Sequence, residues 1–363
     1  MKKNLIAALG LAATAVPFVA HAQSNVTVYG LLDVAVETYN NANTTGASMV
    51  RLPALGGGMF PSRLGFRGDE DLGNGLKAVF VLESGFAPVT GTLGQGNRMF
   101  GRQANVGLSG SWGTVTAGRN YNMLTTSTFD VDTFGPSQYG IGSLDSFIPN
   151  GRSDNSIAYK GKFSNVMVGA TYSLGRDSSS AGGPAGTNCA GESATDAMQC
   201  REWSAMVRYD GQGFVLVSAY DRIYGGPGAA AGLNSSSKTD SRLHLGALFR
   251  VDYLKVGVGA ISRNNEGSAT PHSTMYYIGA AYDLTPQWII DGQLAKLDYR
   301  DSSNKADQAL IRAIYNLSKR SSVYVAAGRI NNDGASAVAL SAGGSVGAGM
   351  GQTGVIAGLK HSF

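Results

Sequence analysis

Beyond residue 22 this 363-residue chain contains no run of 18 apolar residues, which removes a membrane-spanning helix from consideration. Cysteine is scarce: Cys189 and Cys200 are the only two, and they lack the partner Cys or His set of a structural zinc site. Histidine is scarce as well. Past the leader only His244, His272 and His361 remain, none at metal-ligand spacing and none beside a candidate nucleophile. No enzyme constellation, no metal site and no cofactor motif is therefore expected. Excess charge is also missing. The chain has 29 Lys and Arg, two of them Lys2 and Lys3, against 25 Asp and Glu, a balance that offers no basic face to nucleic acid.

The opening residues supply what an exported chain needs. Lys2 and Lys3 precede the apolar stretch Leu5 to Ala20, and Ala20-His21-Ala22 forms a small-x-small cleavage site. Residues 1–22 are read as a signal peptide and 23–363 as one domain. In such a chain an even cysteine pair reads as one disulfide, here Cys189 with Cys200 closing a Gly/Ser-rich surface loop.

What the rest contains is alternation. In Val26 to Tyr39, Val26, Val28, Leu32, Val34 and Val36 share one parity, while Tyr29, Asp33, Glu37 and Tyr39 share the other. Period-2 spacing sends the two sets to opposite faces of a strand, one oily and one polar. At roughly 13 residues, the strand is long for a soluble sheet, where 5–6 is usual. The pattern recurs to the end of the chain and predicts 16 strands. Among them are Ser62 to Glu70, Leu76 to Ser84, Arg98 to Leu108, Trp112 to Asn120, Arg152 to Lys160 and Phe163 to Leu174, the last two joined at Gly161-Lys162.

Short turns, such as Asn74-Gly75, follow the even-numbered strands. Long loops follow the odd-numbered ones. All long loops therefore emerge at one end. Aromatic residues such as Tyr159, Trp203, Tyr220, Tyr282 and Trp288 sit near strand ends. Alternating strands of about 10 residues, an even count, aromatic girdles and unequal turns describe a transmembrane barrel. Closure satisfies every strand edge in lipid.

One connection is out of proportion. Tyr121 to Pro149, roughly 29 residues, has no helix or strand pattern, and such stretches are functional or disordered. Phe129, Phe134, Phe147, Tyr121 and Tyr139 give it something to bury. It is expected to fold into the bore, narrow it, and set Asp130 and Asp132 against arginines on the facing wall. Other motif hits lack their context. Gly343 to Gly347 spells a nucleophile elbow with no following helix, Gly91 to Gly96 has no strand-then-helix setting for a dinucleotide, and Arg67-Gly68-Asp69 lies at the turn end of a strand.

Taken together, Tyr29-Gly30, Arg63-Leu64-Gly65-Phe66-Arg67-Gly68, Arg102-Gln103-Ala104-Asn105-Val106-Gly107-Leu108, Gly118-Arg119-Asn120, Phe134-Gly135 and the terminal Gly358 to Phe363 resemble a general diffusion porin of the β-proteobacterial outer-membrane type. The resemblance implies an all-β, 16-stranded antiparallel transmembrane β-barrel with an inward-folded third long loop. It also implies a homotrimer in the cell outer membrane. Carried over, the wall arginines are Arg63, Arg102, Arg119 and Arg152, and the acidic side of the constriction is Asp130 and Asp132. Thr133 stands where related porins often have an acidic residue before Phe-Gly, and Leu31 where some carry a lysine. Phe363 resembles the signal read by the barrel-assembly machinery.

The implied activity is passive diffusion of small hydrophilic solutes and ions, in contact with outer-membrane lipid and lipopolysaccharide. Periodicity adds that Arg63 and Arg152 face away from lipid, and leaves Arg102 open. The alternatives are a substrate-specific outer-membrane channel and a barrel adhesin, whose essential residues would lie in the long loops.

Overall fold

The computed structural model describes residues 25–53, 57–177 and 188–363. The expected signal peptide, residues 1–22, lies outside them. Strands β1 (Asn25–Tyr39), β2 (Met49–Arg51), β3 (Arg63–Gly73), β4 (Leu76–Gly85), β5 (Gln103–Gly110) and β6 (Gly113–Tyr121) come first. Helices α1 (Met123–Val131) and α2 (Ile141–Leu144) follow, then β7 (Arg152–Phe163), β8 (Val166–Ser173), β9 (Glu202–Asp210), β10 (Phe214–Tyr224) and β11 (Thr239–Val251). The chain ends with β12 (Leu254–Asn265), β13 (His272–Asp283), β14 (Trp288–Tyr299), β15 (Lys305–Asn316), β16 (Ser321–Asp333) and β17 (Gln352–Ser362).

Apart from the three-residue β2, these sixteen long strands pair antiparallel, each with its chain neighbour, and β1 pairs with both β3 and β17. The sheet is a closed barrel. At the seam Gly30 and Phe363 exchange hydrogen bonds, 3.0 and 3.1 Å, and no side chain would fit at Gly30 beneath the Phe363 ring.

The alternation has the inside-out sense of a membrane barrel. In β1, Asp33 and Glu37 are fully buried while Val34 and Val36 are 38% and 51% exposed. Burying two carboxylates while exposing valines is costly in water and favourable only where the outside is hydrocarbon. Trp288 packs on Tyr315 and Tyr209 on Phe214 at the short-turn end, and Trp203 on Tyr220 toward the long loops, with ring centroids 4.8, 6.0 and 5.1 Å apart. These are the two interfacial girdles.

Strand limits differ from the sequence pattern in instructive places. The strand expected from Arg98 begins at Gln103, because Arg98 is turned aside to bond Asp154 and Asp177 at 2.8 Å. The expected turn at Gly161-Lys162 is instead inside β7, and the chain reverses at Ser164-Asn165, where Ser164 takes φ 55°. The stretch 121–149, read as free of regular structure, contains α1 and α2. Asn122 caps α1, its side chain accepting from the Thr125 N–H at 2.9 Å.

Helix α1 lies against β9, β10, β11 and β12. There the inward parity turns apolar: Val215, Val217 and Leu248 are buried in one cluster with Met123 and Val131. The helix approaches so closely that a side chain at Gly257 would collide with the Val131 carbonyl oxygen.

Candidate functional site

Downstream of α1 the segment continues along the wall, held by polar side chains of the inward parity. Gln293 Nε2 donates to Asp132 Oδ1 at 2.8 Å, and Arg312 Nη2 to the Phe134 carbonyl at 3.0 Å. Gln308 Nε2 donates to Ser143 Oγ at 2.8 Å, and Arg242 Nε to Asp145 Oδ2 at 2.8 Å. Two guanidiniums also lie flat on aromatic rings of the segment: Arg312 is 4.0 Å from the Phe134 centroid and Arg242 4.3 Å from that of Phe147. Between these contacts the segment meets the residues that precede β3, where Gln138 N–H donates to the Gly58 carbonyl at 3.0 Å. Residues 57–61 are themselves tied down by Asp33, which accepts from the N–H groups of Gly58, Met59 and Phe60 and from the Tyr324 hydroxyl.

Beside this segment is a cavity of about 820 Å3, lined by Arg63, Arg102, Asp130 and Asp132 among others. Arg119 and Arg152 are not in its lining. Three of the four arginines converge on two acceptors. Glu83 of β4 receives Arg102 Nε at 2.6 Å and the Tyr29 hydroxyl at 2.9 Å, with Arg63 Nε at 3.9 Å. The Tyr121 hydroxyl accepts from Arg102 and Arg152, each at 2.8 Å, and Arg152 also stacks on its ring at 4.5 Å. Arg119 belongs to a separate group, bonding Asp154 at 2.5 Å and the Gly101 carbonyl at 2.7 Å.

Asp130 is paired with none of the four. Its Oδ1 accepts from Arg208 Nη1 of β9 at 2.7 Å. Asp132 accepts from the Phe134 N–H at 2.9 Å as well as from Gln293. Burial pushes its carboxyl up to about 6, against the opposing pull of the Phe134 and Gly135 N–H groups and Gln293. Burial also raises Asp130, and Arg208 only partly offsets it. Asp145 goes the other way. Burial pushes it up, but Arg242 and Arg263 more than cancel that and hold it below the ordinary carboxylate range.

Glu83, Arg208 and Arg312 escaped the sequence reading, although each left a trace. Arg208 has the parity of Ser204 and Met206, opposite to Trp203, Ala205 and Val207, which marks it as inward. Glu83 is the one carboxylate of β4, and Arg312 has the parity of Gln308, opposite to Ala309, Ile311 and Ala313.

A closed barrel with a charged, water-accessible interior and no helix long and apolar enough to cross a membrane among its described residues narrows the possibilities to a strand-built channel. The family model described as Gram-negative porin matches residues 7–335. The chain belongs to this porin family. Outer membrane porin protein 32 of Delftia acidovorans is 33% identical, over 100% of both chains. The major outer membrane protein P.IB of Neisseria gonorrhoeae is 30% identical, over 90% of this chain and 93% of that one. Among solved structures, the anion-selective porin from Comamonas acidovorans superposes with a TM-score of 0.75 at 26% identity, over 94% of this chain and 100% of that one. The chain is thus a porin of the Gram-negative outer membrane that passes small hydrophilic solutes by passive diffusion.

Cys189 and Cys200 are joined as a disulfide, in a long loop on the far side of the barrel wall from the short turns. Among the described residues no group of His, Cys, Asp and Glu could hold a metal.

Proposed function

We propose that the segment 121–149 is the constriction of this porin, and that solutes pass it under the field of Arg63 and Arg102 on the wall and Asp130 and Asp132 on the loop. The observation that carries this reading is the shared lining: all four side chains border the same cavity of about 820 Å3. Charged walls in a narrow aqueous passage select by size and sign. Arg119 and Arg152 then act at one remove. Arg152 fixes Tyr121 for Arg102, and Arg119 braces the rim above through Asp154.

The sign of selection follows from what is already paired. Asp130, Asp291 and Asp283 are each matched to Arg208, Arg312 and Lys255, and Glu83 to Arg102. Arg67, Arg250 and Lys360 border the same cavity and form no ion pair among the described residues. Against them stands one carboxylate without an ion pair, Asp132, so the surplus is positive. Anions are therefore preferred, as in the anion-selective porin from Comamonas acidovorans. The working unit is a homotrimer inserted through the barrel-assembly machinery, with Phe363 as the terminal signal, in a leaflet containing lipopolysaccharide. Residues 1–22 act as the export signal.

Single-channel recording under a salt gradient tests the core of this. Shortening the loop between Asn122 and Asp145 should raise conductance, and an unchanged current would place the narrowing elsewhere. The reversal potential should be that of an anion-preferring pore.

A further inference from the structure

The outer surface of the barrel has a feature that solute passage does not use. Two neighbouring cross-strand rows run over β11 to β16 on the exposed parity. One is Leu245, Ala260, Tyr276, Lys296, Asp307 and Asn331; the other is Ala247, Val258, Ile278, Leu294, Ala309 and Arg329. Between the larger side chains, the small residues Ala247, Ala260 and Ala309 leave a trough of about 870 Å3. Its β11–β13 end is apolar. Its β14–β16 end has Lys296 and Arg329.

The trough is inclined. Leu245 is closer along its strand to the short-turn end at Val251 than Asn331 is to the corresponding end at Ser321. Short turns are periplasmic in outer-membrane barrels. The trough therefore climbs from mid-bilayer toward the extracellular interface, and its cations stand at the upper end. Lys296 is on the strand that begins at the Trp288 girdle, roughly 20 Å below it at the usual rise and tilt, close to the full ~25 Å of the apolar band. Arg329, eight residues along β16 from Ser321, stands as high as Lys296, eight residues along β14 from Trp288.

Near that interface a cation facing hydrocarbon is stabilised by an anion that meets it. Arg329 bonds only Asn331 of its own strand, at 3.1 Å, and among the described residues neither it nor Lys296 forms an ion pair. Asp307, in register with Lys296, leaves the trio with one net positive charge.

We infer that this trough is a binding site for a phosphate-bearing, multi-acyl lipid of the outer leaflet, its phosphate held by Arg329 and Lys296 and one acyl chain descending over Ala309, Ala260 and Ala247. The inference rests on the outer-membrane placement of the barrel, not on the constriction. A guanidinium on β16 and an ammonium on β14, with Asp307 of β15 between them, offer two donors to one phosphate, and an inclined apolar channel below them matches a chain. A second copy of this chain fits worse, because it would take both unpaired cations out of water and away from lipid phosphate.

The test uses the intact porin in nanodiscs of phosphatidylcholine with or without lipid A, counting retained lipid by native mass spectrometry after delipidation. Wild type should retain lipid A over phosphatidylcholine. R329A/K296A should weaken that retention about tenfold, near what two interfacial charges supply. Ala309→Trp, which fills the trough without changing charge, should weaken it too. Equal retention by wild type and both variants, no preference for lipid A, or release by millimolar inorganic phosphate would overturn the site. A change in oligomeric state of the variants would reassign the surface to a subunit contact. Conductance, measured in parallel, should be unchanged, which separates failure of this site from failure of the pore reading.

Discussion

Asp130 on the segment 121–149 and Arg208 on β9 form an ion pair at 2.7 Å, although Asp130 borders the same cavity as Arg63 and Arg102. The loop carboxylate is thus neutralised by its nearer wall, and the opposite wall keeps its positive charge. Asp130→Asn frees Arg208 and should move the reversal potential toward anions. Arg208→Ala frees Asp130 and should move it toward cations. Shifts of the same sign in both variants would show that the pair is not part of the conduction path.

Acidification should strengthen anion preference. The Asp132 carboxyl titrates at about 6, raised by burial, so it is charged at pH 7.5 and neutral at pH 5. Loss of that charge makes the passage more positive as pH falls. Reversal potentials recorded at the two pH values should differ in wild type and coincide in Asp132→Asn. The same shift has a stability consequence: a carboxyl whose folded value exceeds the unfolded one contributes stability below the unfolded pKa, and that contribution is lost as pH rises through about 6. Asp132→Asn should then cost little at pH 7.5 in thermal unfolding.

Arg312 and Asp291 are both buried and bonded at 2.5 Å, and Arg312 also holds the Phe134 carbonyl. Removing the cation alone strands a buried carboxylate, a loss of about 3–5 kcal/mol. Arg312→Leu should lower the urea midpoint in detergent and make single-channel current noisier as the segment loosens. The double change with Asp291→Leu should recover most of the stability but not the quiet current.

Deleting Phe363 separates the targeting role proposed for it from its place in the seam. As part of a targeting signal it is needed only in the cell; as partner of Gly30 it is needed in every folded barrel. The truncated chain should be depleted from outer membranes yet refold in detergent with a modestly lowered melting temperature. Failure to refold would make seam closure its main duty.

Most of the barrel was legible because its solvent is lipid outside and water inside, which writes a two-residue period into every wall strand. The limits Phe214 and Tyr224 of β10 follow from that period alone. The polar face is masked where an inward residue meets protein rather than water: Val215 and Val217 make β10 oily on both faces because α1 covers them. Helix α1 itself was hidden. Its Thr and Ser side chains are buried by hydrogen bonds to the helix's own carbonyls and to His244, so no apolar stripe marks it. The arginines were placed by resemblance, but Glu83, their partner on the neighbouring strand β4, was not, and neither was Arg208, which reaches Asp130 from β9.

The seam has a consequence for how such a chain comes to exist. Strand β1 is made first and its final neighbour, β17, last, so an open ribbon edge persists through the whole of synthesis and export. Edges of this kind template pairing with any other extended chain. A molecule that is its own last missing partner must travel shielded, and its window of vulnerability is set by chain length rather than by the strength of any contact in the finished wall.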